Sequence, residues 1–127
     1  MNEVVREWIE KAEADYLTAT RELQADPPNY DAVCFHAQQC IEKLMKASLI
    51  AGGKLPPKTH DLTVLSALVA SANPLWSWPT EELRLLSRAA VIFRYAGESA
   101  DREAAEATLR ISKAMRERLL VLVGRST

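Results

Sequence analysis

A polar stripe on a predicted helix near residue 40 carries the side chains best suited to bind a ligand. Its members recur at i, i+3, i+7 and i+10, and a helix turns about 100° per residue, so they share one face: His36, Gln39, Lys43 and Lys46. An imidazole, an amide and two ammonium groups can offer hydrogen bonds and positive charge to an anion. A solvated helix face with ordinary lysine and glutamine side chains is the alternative interpretation.

Asp15 is a carboxylate at the edge of the apolar stripe of the preceding predicted helix. A partly buried charge is costly unless it is paired, so we expect a cationic partner, either Lys43 or Arg94. The functional alternative is that Asp15 orients a cation or the ribose of a ligand. The sequence favours structural pairing, because ion pairs are the commoner use of such a carboxylate.

The second histidine lies in the segment Thr59-His60-Asp61, just before a predicted helix. Asp61 can cap that helix, or it can orient the His60 imidazole for proton transfer. Helix caps are common and His–Asp dyads are rare, so the sequence favours the cap. Because the chain has two histidines and no clustered third ligand, no metal site is expected. No cofactor is expected either.

Arg94 and Tyr95 stand together at the predicted end of a helix, shortly before another helix begins near Ser99. A guanidinium, an aromatic ring and a helix N-terminus suit a phosphate with a stacked base. Alternatively, Arg94 bonds the carbonyl groups at the end of its own helix and Tyr95 packs on the bundle. The residues themselves leave both interpretations open.

The elements that must position these residues are helices. Apolar residues recur with helical periodicity along the 127 residues, and no window alternates as a strand would. We predict five helical segments. The first runs from Asn2 to about Ala25, the second from Asn29 to Gly52, and the third from Asp61 to Asn73. The fourth runs from Thr80 to about Arg94, and the fifth from Ser99 or Asp101 to about Val123, with Gly124 beyond its end. We predict one all-α domain over residues 1–127, an up-and-down four-helix bundle with an additional short helix and two antiparallel N-terminal helices.

Charge and cysteine content limit the partners and the compartment. Sixteen Lys and Arg against seventeen Asp and Glu leave a net charge of −1, so nucleic-acid binding would need a local basic patch. No apolar run reaches the roughly 18 residues of a membrane span, and the charged first turn is unlike a signal peptide. Cys34 and Cys40 lie about 9 Å apart along one helix, too far for a disulfide. We expect a cytoplasmic protein with reduced cysteines and no membrane partner.

Four short motifs stand in order along the chain. They are KAEADY at residues 11–16, CFHAQQCIEKLMKA at residues 34–47, THDL at residues 59–62, and RY at residues 94–95. They resemble, in this order, the first helix, the second-helix signature, the entry to the third helix and the end of the fourth helix of the HEPN family. The spacing is compatible throughout, and the resemblance covers about residues 3–122.

The resemblance to HEPN domains implies a bundle of four main helices plus a short one, often dimeric, with a cytoplasmic role related to nucleotides or RNA. It also implies a minimal nucleotidyltransferase as partner protein, in a toxin–antitoxin-type pair. Ribonuclease members carry Arg, four to six further residues, and then His. Arg94 matches that Arg, but Ser99, Ala100 and Asp101 stand where the His is needed. Without that imidazole for proton transfer, the resemblance argues against nuclease activity.

These features together predict a non-catalytic module that binds a nucleotide or RNA and forms a homodimer. Arg94 contacts phosphate and Tyr95 borders the base in this hypothesis. The other predicted ligand-binding residues are His36, Gln39, Lys43, Lys46, Asp15 and His60. Self-association is expected through small residues at helix edges, namely Ala12, Ala37, Cys40 and Ala47. Two alternatives stay open: a metal-independent ribonuclease that uses His36 or His60, and a purely structural dimerisation module.

Overall fold

The computed structural model describes residues 2–126, with side chains described as far as residue 124. Its helices are α1 (Glu3–Gln24), α2 (Tyr30–Ala51), α3 (Leu62–Ala72), α4 (Thr80–Ile92) and α5 (Arg102–Ser126). No β-strand occurs in this part of the chain, which confirms the predicted all-α bundle of four main helices and one short helix. Within the same residues, no helix joins enough length to enough apolar character to cross a bilayer.

Three predicted helix boundaries are held by the residues that the sequence indicates. Asn29 accepts a hydrogen bond from the backbone N–H of Ala32 at 3.1 Å, and Asp61 accepts one from Thr63 at 2.9 Å. Each side chain satisfies a donor that the first turn of a helix leaves free. After α2 ends, Gly53 adopts a φ of 79°, a left-handed conformation that costs glycine no steric strain.

Both ends of α4 differ from the prediction. Thr80 is the first helical residue instead of the cap, and Pro79 stands at the cap position without a side-chain hydrogen bond. The helix ends at Ile92, so Arg94 and Tyr95 lie in the turn that follows. Their N–H groups bond carbonyl groups three residues back, the tighter pattern with which many helices finish.

The end of α5 also differs from the prediction, because the helix continues through Gly124 to Ser126. Val123 is fully buried in a cluster with Val5 and Ala47, so tertiary packing stabilises the last turns. A glycine inside a helix costs about 1 kcal/mol relative to alanine, which is small enough for such packing to outweigh.

α2 lies at the centre of the bundle, in contact with each of the other helices. The predicted antiparallel pairing of α1 and α2 is present. Val5 near the start of α1 clusters with Ala47 near the end of α2, and Ala19 near the end of α1 clusters with Ala37. Because α2 is covered from several sides, its polar side chains must find partners within the bundle.

The small residues that the sequence predicts for a self-association surface are buried inside the bundle. Ala12, Ala37, Cys40 and Ala47 have no exposed area, because neighbouring helices of the same chain cover them. The expectation that these four residues contact a second copy is therefore wrong. Periodic small residues allow close helix approach, but here they serve packing within one chain.

Candidate functional site

A cleft of about 920 Å³ opens between α2, the start of α3 and α4. We call it the α2–α4 cleft. α2 contributes one aromatic and two amide side chains to the wall, and the connection into α3 contributes His60 and Asp61. The lining residues are Phe35, Gln38, Gln39, His60, Asp61, Thr63, Arg84, Ser87, Arg88, Ala90, Val91, Ile92 and Arg94. Aromatic, amide and basic groups therefore meet in one concave surface.

Three arginines, which we call the arginine cluster, give the α2–α4 cleft its charge. Arg84 and Arg88 are one helical turn apart on α4, and Arg94 follows in the turn after the helix. All three are exposed, and none forms an ion pair with a carboxylate among the described residues. The Arg94 guanidinium lies 5.4 Å from the centre of the Phe35 ring, a cation–π contact. Within the part of the chain that the structure describes, the N–H donors of the three arginines are therefore available to an anion.

Asp61 is the carboxylate in the lining of the α2–α4 cleft, and local hydrogen bonds hold it. The side chain and the backbone N–H of Thr63 both donate to its Oδ1. These bonds hold the pKa of Asp61 below its usual range, and the nearby charge of Arg84 adds to the effect. The carboxylate stays ionised as a helix cap and forms no ion pair with the arginine cluster.

The His60 imidazole forms a hydrogen bond with Glu42, a buried carboxylate on α2. His60 Nδ1 lies 2.9 Å from Glu42 Oε2, while the His60 side chain is 83% exposed at the cleft. Burial by itself raises the pKa of Glu42, but hydrogen bonds from Gln38, His60 and Lys46 outweigh it and lower the pKa. An ionised carboxylate only accepts, so Nδ1 carries the proton and Nε2 of a neutral imidazole is a free acceptor.

Two glutamines on α2 connect the pair of His60 and Glu42 to the wall of the α2–α4 cleft. Gln38 donates to Glu42 Oε1 at 3.0 Å and also to the backbone carbonyl of His60 at 3.3 Å. Gln39 donates to Gln38 Oε1 at 2.8 Å. The chain of amides fixes the wall of α2 that faces the arginine cluster, and it ties the loop that carries His60 to α2.

A second polar cluster lies between α1 and α2 and does not line the cleft. Asp15, which is 8% exposed, accepts from His36 Nδ1 at 2.8 Å and from Lys43 Nζ. The expectation that Asp15 has a cationic partner is thus confirmed, and of the two predicted candidates the structure places Lys43 there and not Arg94. The charge of Lys43 is compensated within the bundle, and His36 uses one ring nitrogen there.

Lys46 and Tyr95 also lie outside the lining. Lys46 Nζ donates to Glu42 Oε2 at 3.1 Å and sits 5.9 Å from the centre of the Trp8 ring, almost wholly buried. Tyr95 is 67% exposed in the turn after α4.

Of the eight predicted residues, the structure brings Gln39, His60 and Arg94 together in the cleft. Phe35, and not Tyr95, is the aromatic ring beside the Arg94 guanidinium.

The N-terminus of α5 is occupied by carboxylates. The Ala100 N–H donates to Asp31 Oδ1 at 2.7 Å, and the Ala104 N–H donates to the cap residue Asp101 at 2.8 Å. Two of the N–H groups after Ser99, which the sequence predicts to add to an anion site at Arg94, thus already have carboxylate partners in the same chain. Side chains of the same chain already supply the negative charge that a helix N-terminus favours.

Sequence reasoning missed Arg84, Arg88, Phe35 and the buried pair of Gln38 and Glu42. A signal for the two arginines existed, because their four-residue spacing puts them on one face of a predicted helix. For Glu42 the signal was weaker. It stands four residues from both Gln38 and Lys46, but only the tertiary structure adds His60 from eighteen residues away.

Comparisons with known proteins agree with this architecture. A family model for the HEPN domain matches residues 5–122. Among solved structures, the chain is similar to TT1696 from Thermus thermophilus, at 21% identity and a TM-score of 0.72, covering 97% of this chain and 98% of that one. It is also similar to ST0689, an archaeal HEPN homologue, at 21% identity and a TM-score of 0.67, covering 94% and 97%. No protein of curated function matched significantly.

The family match and the fold lead to one conclusion. The matched segment runs from the first turns of α1 to the last turns of α5, so it includes every element that lines the α2–α4 cleft. Two structures of similar length share the arrangement over nearly their whole chains. The chain therefore belongs to the HEPN family.

Proposed function

We propose that the α2–α4 cleft binds a phosphate-bearing ligand, a nucleotide or RNA. The observation that carries the proposal is the arginine cluster, three guanidinium groups without carboxylate partners among the described residues, on one concave surface. Each guanidinium is a planar donor that matches two phosphate oxygens at once, and it keeps its charge at any physiological pH. The ammonium groups of Lys43 and Lys46 already have carboxylate partners.

The wall of the α2–α4 cleft that α2 contributes supports a nucleoside as the rest of the ligand. Phe35 offers a ring face for stacking, and Gln39 offers an amide for hydrogen bonds to a base edge. A volume of about 920 Å³ falls within the range of roughly 300–1,000 Å³ that is usual for small-molecule sites. A phosphate at the arginines and a base at Phe35 fit the charge distribution of the cleft.

The proposal includes a homodimer. Its contact surface is not the set of small residues that the sequence indicated, because those residues are buried within one chain. Leu85 on α4 is 42% exposed and lies outside the lining of the α2–α4 cleft, and Tyr95 is 67% exposed in the turn after this helix. Apolar side chains that a monomer leaves in solvent suit a symmetric contact with a second copy. Sedimentation that gives only a monomer at micromolar concentration would contradict the dimer.

A minimal nucleotidyltransferase partner, in a toxin–antitoxin-type pair, belongs to the proposal because the HEPN resemblance implies it. Mass spectrometry of the protein purified under native conditions tests both ligand and partner. We expect a retained phosphate-bearing compound and a co-purifying nucleotidyltransferase. Calorimetric titration with a nucleotide panel and a short single-stranded RNA is the decisive test of the cleft. Absence of binding to every member of this set would favour the purely structural module.

A further inference from the structure

We infer that the α2–α4 cleft selects a terminal phosphate, a phosphomonoester dianion, and that His60 takes up a proton as this group binds. The inference rests on the proposed function, because it concerns the same cleft. It narrows the ligand from any phosphate-bearing molecule to one with an unbridged phosphate, such as a nucleoside 5′-monophosphate or the 5′-phosphorylated end of an RNA.

The charge balance of the cleft favours a dianion over a bridging phosphodiester. The lining contains the arginine cluster and one carboxylate, Asp61, which leaves two uncompensated positive charges before His60 is counted. A phosphodiester within a chain carries one negative charge, whereas a phosphomonoester carries about −1.5 to −2 at neutral pH. The second charge of a terminal phosphate therefore has a counter-charge in the cleft, and the third unbridged oxygen has donors available.

His60 is placed to supply a further donor when it is protonated. Its Nδ1–H is held by Glu42, so Nε2 is the nitrogen on the exposed side, and the side chain lines the same cleft as the arginine cluster. Binding at Nε2 needs a hydrogen there, because a phosphate oxygen of a dianion only accepts. A proton must therefore arrive with the ligand if the imidazole is neutral beforehand.

The charges around His60 explain why ligand and proton arrive together. Glu42 favours the imidazolium from one side, and Asp61 lies next to it in the chain. Lys46, which shares the Glu42 carboxylate, and the arginine cluster oppose a further positive charge. A bound dianion offsets the two uncompensated positive charges on the cleft side, and its own negative charge near Nε2 favours the charged form of the imidazole. Linkage makes the effect reciprocal, so protonation tightens ligand binding to the same extent.

Isothermal titration of the full chain with adenosine 5′-monophosphate and with 3′,5′-cyclic adenosine monophosphate tests the phosphate selectivity. The two ligands share base and sugar, but the cyclic compound contains only a phosphodiester. At pH 8 we expect the 5′-monophosphate to bind at least about tenfold more tightly, a difference that corresponds to one charged interaction. An oligoribonucleotide is titrated in two forms, one with a 5′-phosphate and one with a 5′-hydroxyl. This comparison distinguishes a free nucleotide from an RNA end as the source of the phosphate.

Proton uptake is measured by repeating the titration in Tris and in HEPES, whose ionisation enthalpies differ. We expect uptake of up to one proton at pH 8, the upper end of the range in which imidazoles change charge. The affinity for the 5′-monophosphate should then rise from pH 8 to pH 7, by at most about tenfold for one proton. The cyclic compound should show a smaller change.

His60→Gln isolates the imidazole, and His36→Gln is the matched control. The His60 side chain is 83% exposed and a glutamine amide can still donate to Glu42, so the fold should persist. We expect His60→Gln to abolish the buffer-dependent heat and the pH dependence of affinity. His36 pairs with Asp15 outside the cleft, so His36→Gln should retain both.

Several outcomes would overturn the inference and leave the proposed function intact. They are equal affinity for the two adenosine phosphates, no proton uptake by the wild-type protein, or uptake that persists in His60→Gln. Failure of every nucleotide and oligonucleotide to bind would overturn the proposed function as well. Selectivity and proton uptake are measured only with ligands that bind, so these two kinds of failure give different results.

Discussion

Lys43 Nζ donates a hydrogen bond to the largely buried carboxylate of Asp15, so the positive charge of Lys43 is compensated within the bundle. Lys43 and Lys46 are neutralised by carboxylates inside the bundle, whereas the arginine cluster on α4 and in the turn after it has no such partners in the described residues. A lysine or arginine in the sequence therefore does not by itself indicate a positive charge that is accessible to a ligand.

The Asp15 cluster should matter for stability. Asp15→Ala leaves the Lys43 ammonium partly buried without its carboxylate and removes the acceptor of His36. We expect a loss of about 1–3 kcal/mol in the free energy of unfolding, the usual range for an unsatisfied buried polar group. Urea denaturation at pH 7 measures the loss, with Glu10→Ala, an exposed carboxylate on the same helix, as control. Equal stability of Asp15→Ala and wild type would contradict the prediction.

Glu42 should make the stability depend on pH in the acid range. Its pKa is lowered in the folded state, so its contribution is present above the unfolded value near 4.5 and is lost as the pH falls through the folded value. We expect the difference in unfolding free energy between wild type and Glu42→Gln to shrink from pH 5 to pH 3. Urea titrations at several pH values measure it. A constant difference would mean that Glu42 titrates alike in both states.

The protein should lack strong ribonuclease activity. Arg94 is followed by Ser99, Ala100 and Asp101 where ribonuclease relatives need a histidine, and His36 is held outside the cleft by Asp15. Incubation with labelled single-stranded RNA in the presence of a chelator should leave it uncut. Robust cleavage that disappears in His60→Ala but persists in His36→Ala would make the metal-independent ribonuclease the better account.

The single guanidinium of Arg94 should contribute more to ligand affinity than either lysine. Arg94→Ala removes a free two-pronged donor and its contact with Phe35, at an expected cost of about 1.5–3 kcal/mol of binding free energy. Lys43→Ala and Lys46→Ala should lower stability and change affinity by less than about twofold, because their charges are already paired. Calorimetric titration of the three variants checks the order. Equal losses in affinity would indicate a diffuse basic edge.

Local signals made much of the fold predictable. Asn29 and Asp61 cap helices by bonds within three residues, so the relevant physics is complete in a short window of sequence. The pairing of Asp15 with Lys43 was also within reach, since antiparallel helices joined by a short loop bring their middle turns together. These features need little knowledge of tertiary structure.

The parts that sequence could not supply depend on how helices pack. Periodicity identifies Ala37 and Cys40 as a small apolar face, but it does not say whether that face meets the same chain or a second copy. Likewise, Arg84 and Arg88 share a helix face, yet only the placement of α4 beside α2 sets them across from Phe35. Such relations are set by the whole core, which a local window does not contain.

The salt dependence of RNA binding shows directly whether the arginine cluster binds phosphate. A single-stranded RNA with a 5′-phosphate and a 3′-fluorescein is titrated by fluorescence anisotropy between about 50 and 200 mM NaCl, the range over which phosphate contacts show their salt dependence. It is compared with the triple variant Arg84→Gln, Arg88→Gln, Arg94→Gln and with a control that removes equal charge from exposed positions elsewhere, Arg21→Gln, Arg110→Gln, Lys113→Gln.

For three phosphate contacts on a single strand, log K against log salt concentration should fall with a slope of about −2 in the wild type. The cleft variant should bind at least about 100-fold more weakly with a slope near zero, and the control should stay within about threefold of the wild type. Equal weakening of the two triple variants, with equal slopes, would contradict the assignment of the α2–α4 cleft as the phosphate-binding site.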